Sequence, residues 1–329
     1  MPDPLLEISN LHVGFRIFEG HLRVLNGLSL TVEEGERVGL VGETGCGKTT
    51  TVKSILRVLP TPPAQVTSGA INYRGRDVLT MSRREMTALR RHELTAIFQD
   101  PLQSLNPVFT IGTQLRDIVK DSAIGRGRHL SRREVESRCL AALRETGMPD
   151  PERIMTNYPA QLSGGMRQRI CIAEALSTNA NLMLADEPTT NLDVTIQDQI
   201  LRKLDELVEE RGASVVMITH SMGVVRDLTE RVSIMYAGSI VEMGETREIL
   251  ENPMHPYSQG LMASVPKLTG EGISEGIPGR IPSYLDPPSG CRFHPRCPHQ
   301  MEICSTESPP FFEITNAHQA ACYLYRGNR

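Results

Sequence analysis

Apolar and polar positions along the chain switch between two periods. Leu6-Glu7-Ile8-Ser9-Asn10-Leu11-His12-Val13-Gly14-Phe15 repeats near every second residue and predicts a strand. Residues 24–32 predict another, closed by the turn Glu33-Glu34-Gly35-Glu36. The run Arg37-Val38-Gly39-Leu40-Val41 predicts a third strand, and the helix after it should stop near Leu59, because Pro60, Pro62 and Pro63 remove donors. Residues 68–75 read as a turn and a short strand. Capping boxes at Ser82-Arg83-Arg84-Glu85 and Ser131-Arg132-Arg133-Glu134 announce two helices. Between and after them the chain reads as mostly helical to about Leu162, so residues 100–162 or so are expected to be a helical insertion. Alternation then returns: a helix from near Gly165, the strand Leu182-Met183-Leu184-Ala185, and a helix over 195–210 stopped by Gly212. A strand over 214–219 and a hairpin over 231–242, turning at Ala237-Gly238, complete it. Apolar strands separated by helices predict an α/β fold with a mostly parallel sheet covered on both faces. From Glu251 onward Pro, Gly, Ser and Cys become frequent, so 251–329 is expected to be a small, separately organised appendix.

Composition narrows the class. With 329 residues, 39% hydrophobic and 22% charged, the chain is expected to be a soluble globular protein of one large or two modest domains. A net charge of −4 argues against nucleic acid held by bulk charge. No apolar run approaches the roughly 18 residues of a membrane span, and the start shows no signal-peptide pattern. Four of the seven cysteines, Cys291, Cys297, Cys304 and Cys322, crowd the C-terminal end, which in a cytosolic chain points to metal rather than disulfides.

Candidate chemistry centres on Gly42-Glu43-Thr44-Gly45-Cys46-Gly47-Lys48-Thr49, which fits the phosphate-loop pattern between a strand and a helix. Glycines let the backbone amides converge, and the dipole of the following helix adds positive charge. Lys48 should reach the β- and γ-phosphates of a nucleotide, and the hydroxyl of Thr49 or Thr50 should hold Mg²⁺. Asp186, ending an apolar strand, is placed to hold the same metal, and Glu187 beside it to polarise an attacking water. For Cys46, among the N–H dipoles, two readings stand: a thiol of lowered pKa whose alkylation blocks ATP binding and which bound ATP protects, or a small residue that simply fits the turn.

Leu162-Ser163-Gly164-Gly165-Met166-Arg167-Gln168-Arg169, just upstream of the acidic strand, resembles the signature of ATP-binding-cassette (ABC) ATPases. The resemblance extends over residues 5–250 or so. It implies a P-loop NTPase core with an antiparallel β subdomain, a helical insertion and a Cys-rich appendix, divided at about residue 250. It implies that Ser163, Gly164 and Gly165 bind the γ-phosphate of a nucleotide held by a partner subunit. Gln99 matches the loop glutamine that contacts Mg²⁺ or water, Asp193 the aspartate that shapes the dimer seam, and His220 the switch histidine. An aromatic near the end of the first strand stacks on adenine in this family; Phe15 fits best and Phe18 is the alternative.

Three further stretches narrow the branch. Gln99-Asp100-Pro101-Leu102-Gln103-Ser104-Leu105-Asn106-Pro107, Asn252-Pro253-Met254-His255-Pro256-Tyr257 and Gly290-Cys291-Arg292-Phe293-His294-Pro295-Arg296-Cys297-Pro298 resemble segments of the ATPases of dipeptide, oligopeptide and nickel importers. That resemblance implies an ATPase at the cytoplasmic face of the cell membrane. Its partners would be a second ATPase, two transmembrane permeases and an extracytoplasmic solute-binding protein, with no nucleic acid. Alternatives are a soluble ABC ATPase acting on ribosomes or nucleic acid, an importer of nickel or an oligosaccharide, and an iron–sulfur redox protein. The spacing C-x5-C-x6-C-x17-C alone leaves zinc, an iron–sulfur cluster and plain thiols open. The resemblance implies a [4Fe–4S] cluster on Cys291, Cys297, Cys304 and Cys322, with His294, His299 and His318 as reserve ligands.

Overall fold

The computed structural model describes residues 3–327 apart from Arg126, Asn191, 265–275 and Asn316. In chain order the elements are β1 (Leu6–Ile17), β2 (Gly20–Val32), β3 (Arg37–Val41), α1 (Lys48–Ile55), β4 (Ala64–Tyr73) and β5 (Arg76–Asp77). Next come α2 (Arg83–His92), β6 (Leu94–Ile97), α3 (Pro101–Ser104), α4 (Ile111–Ile124), α5 (Arg132–Glu145), α6 (Pro151–Ile154) and α7 (Gly164–Ser177). They are followed by β7 (Leu182–Asp186), α8 (Val194–Arg211), β8 (Ser214–Ile218), α9 (Met222–Leu228), β9 (Arg231–Tyr236) and β10 (Ser239–Glu245). The last are α10 (Thr246–Glu251), α11 (Pro256–Ala263), β11 (Phe312–Thr315) and β12 (His318–Ala320). Two compact units result: Met1–Glu33, Arg37–Thr80 and Ile218–Arg329 form the first, Glu34–Glu36 and Met81–Met217 the second.

In the first unit β2, β1, β4 and β5 make an antiparallel sheet in that order, with Leu6 opposite both Val32 and Tyr73. This is the antiparallel subdomain the family resemblance implies. Beside it β3 pairs in parallel with β9, Val41 opposite Ile234. The hairpin of β9 and β10 turns at Ala237-Gly238 as expected. The C-terminal region does not stand apart: β12 pairs with β10, Glu242 opposite Ala320, and β11 pairs with β12. Tyr257 and Phe293 from that region are buried in one apolar cluster with Val41, Val232, Ile234 and Tyr236. Composition marked a boundary at Glu251 that packing does not respect, because a Pro-rich segment can still contribute aromatic rings and a short strand to an existing core.

In the second unit β6 and β7 pair in parallel, Ile97 opposite Ala185, with β8 beside β7. Helices α4, α5 and α7 bury Ile111, Leu115, Val135, Leu143 and Ile170 together. Both capping boxes form: Ser82 Oγ accepts from Glu85 N and Ser131 Oγ from Glu134 N, while each glutamate side chain accepts from its cap amide. Asp193 caps α8, and Gly212, left-handed at φ 61°, ends it.

Three expectations need correction. Helix α1 ends at Ile55, ahead of the prolines, because Arg57 already takes a left-handed conformation at φ 49°. β4 begins at Ala64 rather than near Ser68, since pairing with β1 carries Phe15 opposite Ala64. The stretch between the capping boxes is not mostly helical throughout: β6 interrupts it, four residues too short to show a period.

Candidate nucleotide site

The phosphate loop runs from the end of β3 into α1. A Cβ on Gly42 would run into the Met235 carbonyl of the paired strand β9, so only glycine allows that approach. Gly47 holds φ 113°, and no atom stands within 4 Å of where a Cβ on Gly45 would be. The loop is therefore a backbone cradle with an open face at Gly45. Lys48, buried along its length, donates from Nζ to the carbonyls of Gly42 (2.7 Å) and Glu43 (3.0 Å), which holds its ammonium over the loop. Thr49 and Thr50 are half-buried at the start of α1. A triphosphate fits this donor set, which pairs amides with one fixed ammonium.

Cys46 departs from the lowered-pKa reading. Its thiol is fully buried, and burial raises its pKa despite the neighbouring Lys48 ammonium. The helix dipole and the lysine favour the thiolate, but the lost hydration costs more.

The C-terminal region surrounds this loop with contacts that motif reading missed. Arg296 makes a fork on the Glu43 carboxylate, Nη1 to Oε2 at 2.8 Å and Nη2 to Oε1 at 3.1 Å. Tyr257 Oη accepts from the Glu43 amide at 2.9 Å, and Tyr284 Oη donates to the Gly45 carbonyl at 2.7 Å. Arg292 donates to the carbonyls of Arg23 and Ala237. The resemblance marked the segments carrying Tyr257 and Arg296, but nothing local said where they fold. Phe15, on β1, is half-buried, whereas Phe18 is fully exposed in the β1–β2 turn. His220 is exposed just after β8 and ahead of α9, where Thr219 Oγ1 accepts from the Ser221 amide at 3.0 Å.

The acidic pair lies in the second unit. Asp186 ends β7 almost fully buried, and Glu187 follows at φ 47°, a left-handed conformation rare outside glycine and costly to hold. Gln99 Nε2 donates to Glu187 Oε2 at 3.0 Å, and Thr190 Oγ1 donates to the same oxygen at 2.9 Å. Gln168 Nε2 donates to the Pro188 carbonyl at 2.6 Å, tying the turn after the acids to α7. The structure thus brings Gln99 and Glu187 together, and adds Thr190 and Gln168. Ser163 caps α7 through its Oγ, which accepts from the Met166 amide at 3.3 Å. Ser163 and Gly164 are exposed, and the space beside Gly164 is open. Asp193, also exposed, accepts from the Ile196 amide at 3.0 Å.

Among the described residues no group of three or more His, Cys, Asp or Glu side chains is arranged to hold a metal ion. Cys291, Cys297, Cys304 and Cys322 are free thiols. They lie near enough to feel one another's charge, and burial with that repulsion pushes Cys291 up to about 11. Of the reserve ligands, His318 is committed to Glu242 at 2.6 Å and His294 Nδ1 lies 2.9 Å from the Cys291 carbonyl. Among the described residues no helix is long and apolar enough to cross a membrane.

Residues 25–190 match the family described as ABC transporter, and residues 241–304 match the oligopeptide/dipeptide transporter C-terminal region. The chain is 43% identical to a probable peptide ABC transporter ATP-binding protein of Sinorhizobium fredii, across 98% of this chain and 95% of that one. It is 40% identical to a dipeptide transport ATP-binding protein of Bacillus subtilis, again across 98% and 95%. An oligopeptide transport ATP-binding protein of Salmonella typhimurium is 40% identical across 97% and 93%. Among solved structures, a dimeric ATP-binding cassette in a post-hydrolysis state bound to ADP and Pi aligns with TM-score 0.65 and 28% identity. That alignment covers 74% of this chain and 99% of the cassette. The chain belongs to the ABC transporter family, as an ATP-binding subunit with the oligopeptide/dipeptide type of C-terminal region, and its enzymatic activity is ATP hydrolysis.

Proposed function

We propose that this chain powers import of di- or oligopeptides, as one of two ATPases acting on a pair of permeases at the cytoplasmic face of the cell membrane. An extracytoplasmic binding protein would deliver the peptide. One observation carries the reading: the likeness to proteins named for peptide transport runs through 97–98% of the chain and includes the C-terminal region. That favours a peptide importer over a ribosome-directed ATPase, a redox protein or an importer of nickel or sugar. Leu102, Val108 and Phe109, exposed apolar residues following Gln99, suit docking against a permease.

The site residues take these roles in the proposal. The loop Gly42, Glu43, Thr44, Gly45, Cys46 and Gly47 cradles the phosphates through its backbone, Lys48 neutralises them, and Phe15 stacks on the base. Thr49, Asp186 and Gln99 would hold Mg²⁺, which supplies charge neutralisation at the β- and γ-phosphates. Thr50 is the alternative ligand. Glu187 orients and polarises the attacking water, and His220 contacts the γ-phosphate. Ser163, Gly164 and Gly165 complete the partner ATPase's nucleotide site, with Asp193 shaping the seam.

Reconstitution with two permeases and the second ATPase in proteoliposomes tests the function. ATP-driven uptake of a di- or oligopeptide, lost in Glu187→Gln, is the expected result. ATP hydrolysis stimulated by ribosomes and not by permeases, or uptake of only nickel or a sugar, would overturn it.

A second reading concerns the cysteines: we infer that Cys291, Cys297, Cys304 and Cys322 hold a [4Fe–4S] cluster. Four free cysteines within residues 291–322, close enough for thiolates among them to couple, support it, since a bound metal would neutralise the negative charge of the thiolates that hold it. Anaerobically purified protein should contain iron and acid-labile sulfide and absorb near 400 nm, as thiolate-bound clusters do on the order of that wavelength. Colourless protein with stoichiometric zinc would rule the cluster out.

A further inference from the structure

Arg296 lies in the tight turn His294–Arg296, between Cys291 and Cys297. Its side chain is only 5% exposed, and its donors are fully committed. Besides the fork on Glu43, Nε donates to the Pro278 carbonyl at 2.8 Å and Nη2 to the Ile277 carbonyl at 3.1 Å. Nη1 reaches the Tyr236 hydroxyl at 3.3 Å, and the guanidinium stands over the rings of Tyr236 and Phe293 at 5.6 and 6.0 Å. A planar fork locked on every edge transmits position well.

What it holds is the phosphate loop. The Glu43 carboxylate is gripped by Arg296, and the Glu43 amide is gripped by Tyr257. The Glu43 carbonyl, fixed between those anchors, is one of the two carbonyls to which Lys48 Nζ donates. Two residues on, the Tyr284 hydroxyl donates to the Gly45 carbonyl. The C-terminal region therefore touches the loop at three points around Thr44, and one of them leads directly to the lysine ammonium.

We propose that Arg296 and Tyr284 are positioning residues of the nucleotide site: through Glu43 and Gly45 they set the shape of the phosphate loop and the place of the Lys48 ammonium. The C-terminal region then governs nucleotide affinity, an assignment beyond import itself that rests on the nucleotide reading of the loop. A residue that only supported the fold would change stability and leave affinity alone. A positioning residue changes affinity in chains that remain folded, and its effect passes through Glu43.

Mg-ATP titration of the full-length chain tests this, with folding checked by circular dichroism. Arg296→Ala should weaken binding roughly five- to fiftyfold, the range of a misplaced binding group. Arg296→Lys should recover part of the loss, because a point charge replaces one arm of the fork. Glu43→Gln combined with Arg296→Ala should be no weaker than Arg296→Ala alone, and Tyr284→Phe should weaken binding measurably. Folded Arg296→Ala with wild-type affinity overturns the proposal. If that variant does not fold, wild-type affinity in both Arg296→Lys and Tyr284→Phe overturns it. Lys48→Ala separates the two readings: undiminished Mg-ATP binding there would defeat the nucleotide reading itself, whereas its loss beside a normal Arg296→Ala defeats only the clamp.

Discussion

Gln99 donates to the Glu187 carboxylate at 3.0 Å, so the residue that opens the path to α3 and α4 is bonded directly to the acid after β7. The same oxygen accepts from Thr190 at 2.9 Å, and Glu187 holds a left-handed backbone. Strain kept at one acidic residue, with two donors aiming it, fits a group that must hold its direction toward water. Glu187→Gln should lower kcat by about 10²–10⁴-fold while Mg-ATP binding stays within a few-fold. Single-turnover hydrolysis beside equilibrium titration checks it; near-normal kcat would remove Glu187 from the role of base.

Cys46 should be inert. Because burial raises its pKa, the thiolate is scarce at neutral pH and reagent cannot reach the sulfur. Maleimide treatment of the native chain at pH 7 should leave Cys46 unmodified with or without ATP, as read by peptide mass mapping. Rapid, ATP-protected labelling of Cys46 would restore the reactive-thiol reading.

Glu174, on α7, is half-buried, its Oε1 shut off from solvent and lacking a hydrogen-bond partner among the described residues, and this desolvation pushes its pKa from 4.5 up to about 8. The folded chain then binds this proton between pH 4.5 and 8 while the unfolded chain releases it. Stability should therefore fall as pH rises through that window, by about 3 kcal/mol at pH 7. Glu174→Met should raise the Tm at pH 8 and flatten its decline between pH 6 and 8, measured by calorimetry.

His255 works in the opposite sense. Its ring caps α11 by accepting from the Tyr257 amide through Nδ1, and burial lowers its pKa from 6.5 to about 4 against the pull of Glu242. The unfolded chain takes up the proton first on acidification, so the stability tied to a neutral His255 is complete above pH 6.5. It should be lost as pH falls toward 4, about 3 kcal/mol in all. His255→Asn keeps an acceptor for the Tyr257 amide and removes the titration, so its unfolding free energy should fall less between pH 6.5 and 4.

Much of this was legible locally. The capping boxes of α2 and α5, the Ser163 cap of α7 and the Gly212 stop of α8 all depend on residues within a turn of one another. Spacing along the chain suffices for such features, because the hydrogen bonds that define them close over three or four residues. β6 and the start of β4 were not legible, since a short strand owes its existence to the neighbour it pairs with.

The chain order of glycines, lysine, acids and Ser-Gly-Gly was enough by itself to mark the ABC family and its ATPase activity, for those groups act through chemistry carried in each residue. Only the tertiary structure decided the rest. Burial reversed the expected acidity of Cys46, and pairing of β12 with β10 merged a Pro-rich tail into the sheet. Arg296 came to lie on Glu43 although 253 positions separate them. Desolvation and long-range pairing depend on what the folded chain places nearby, and no local pattern carries that information.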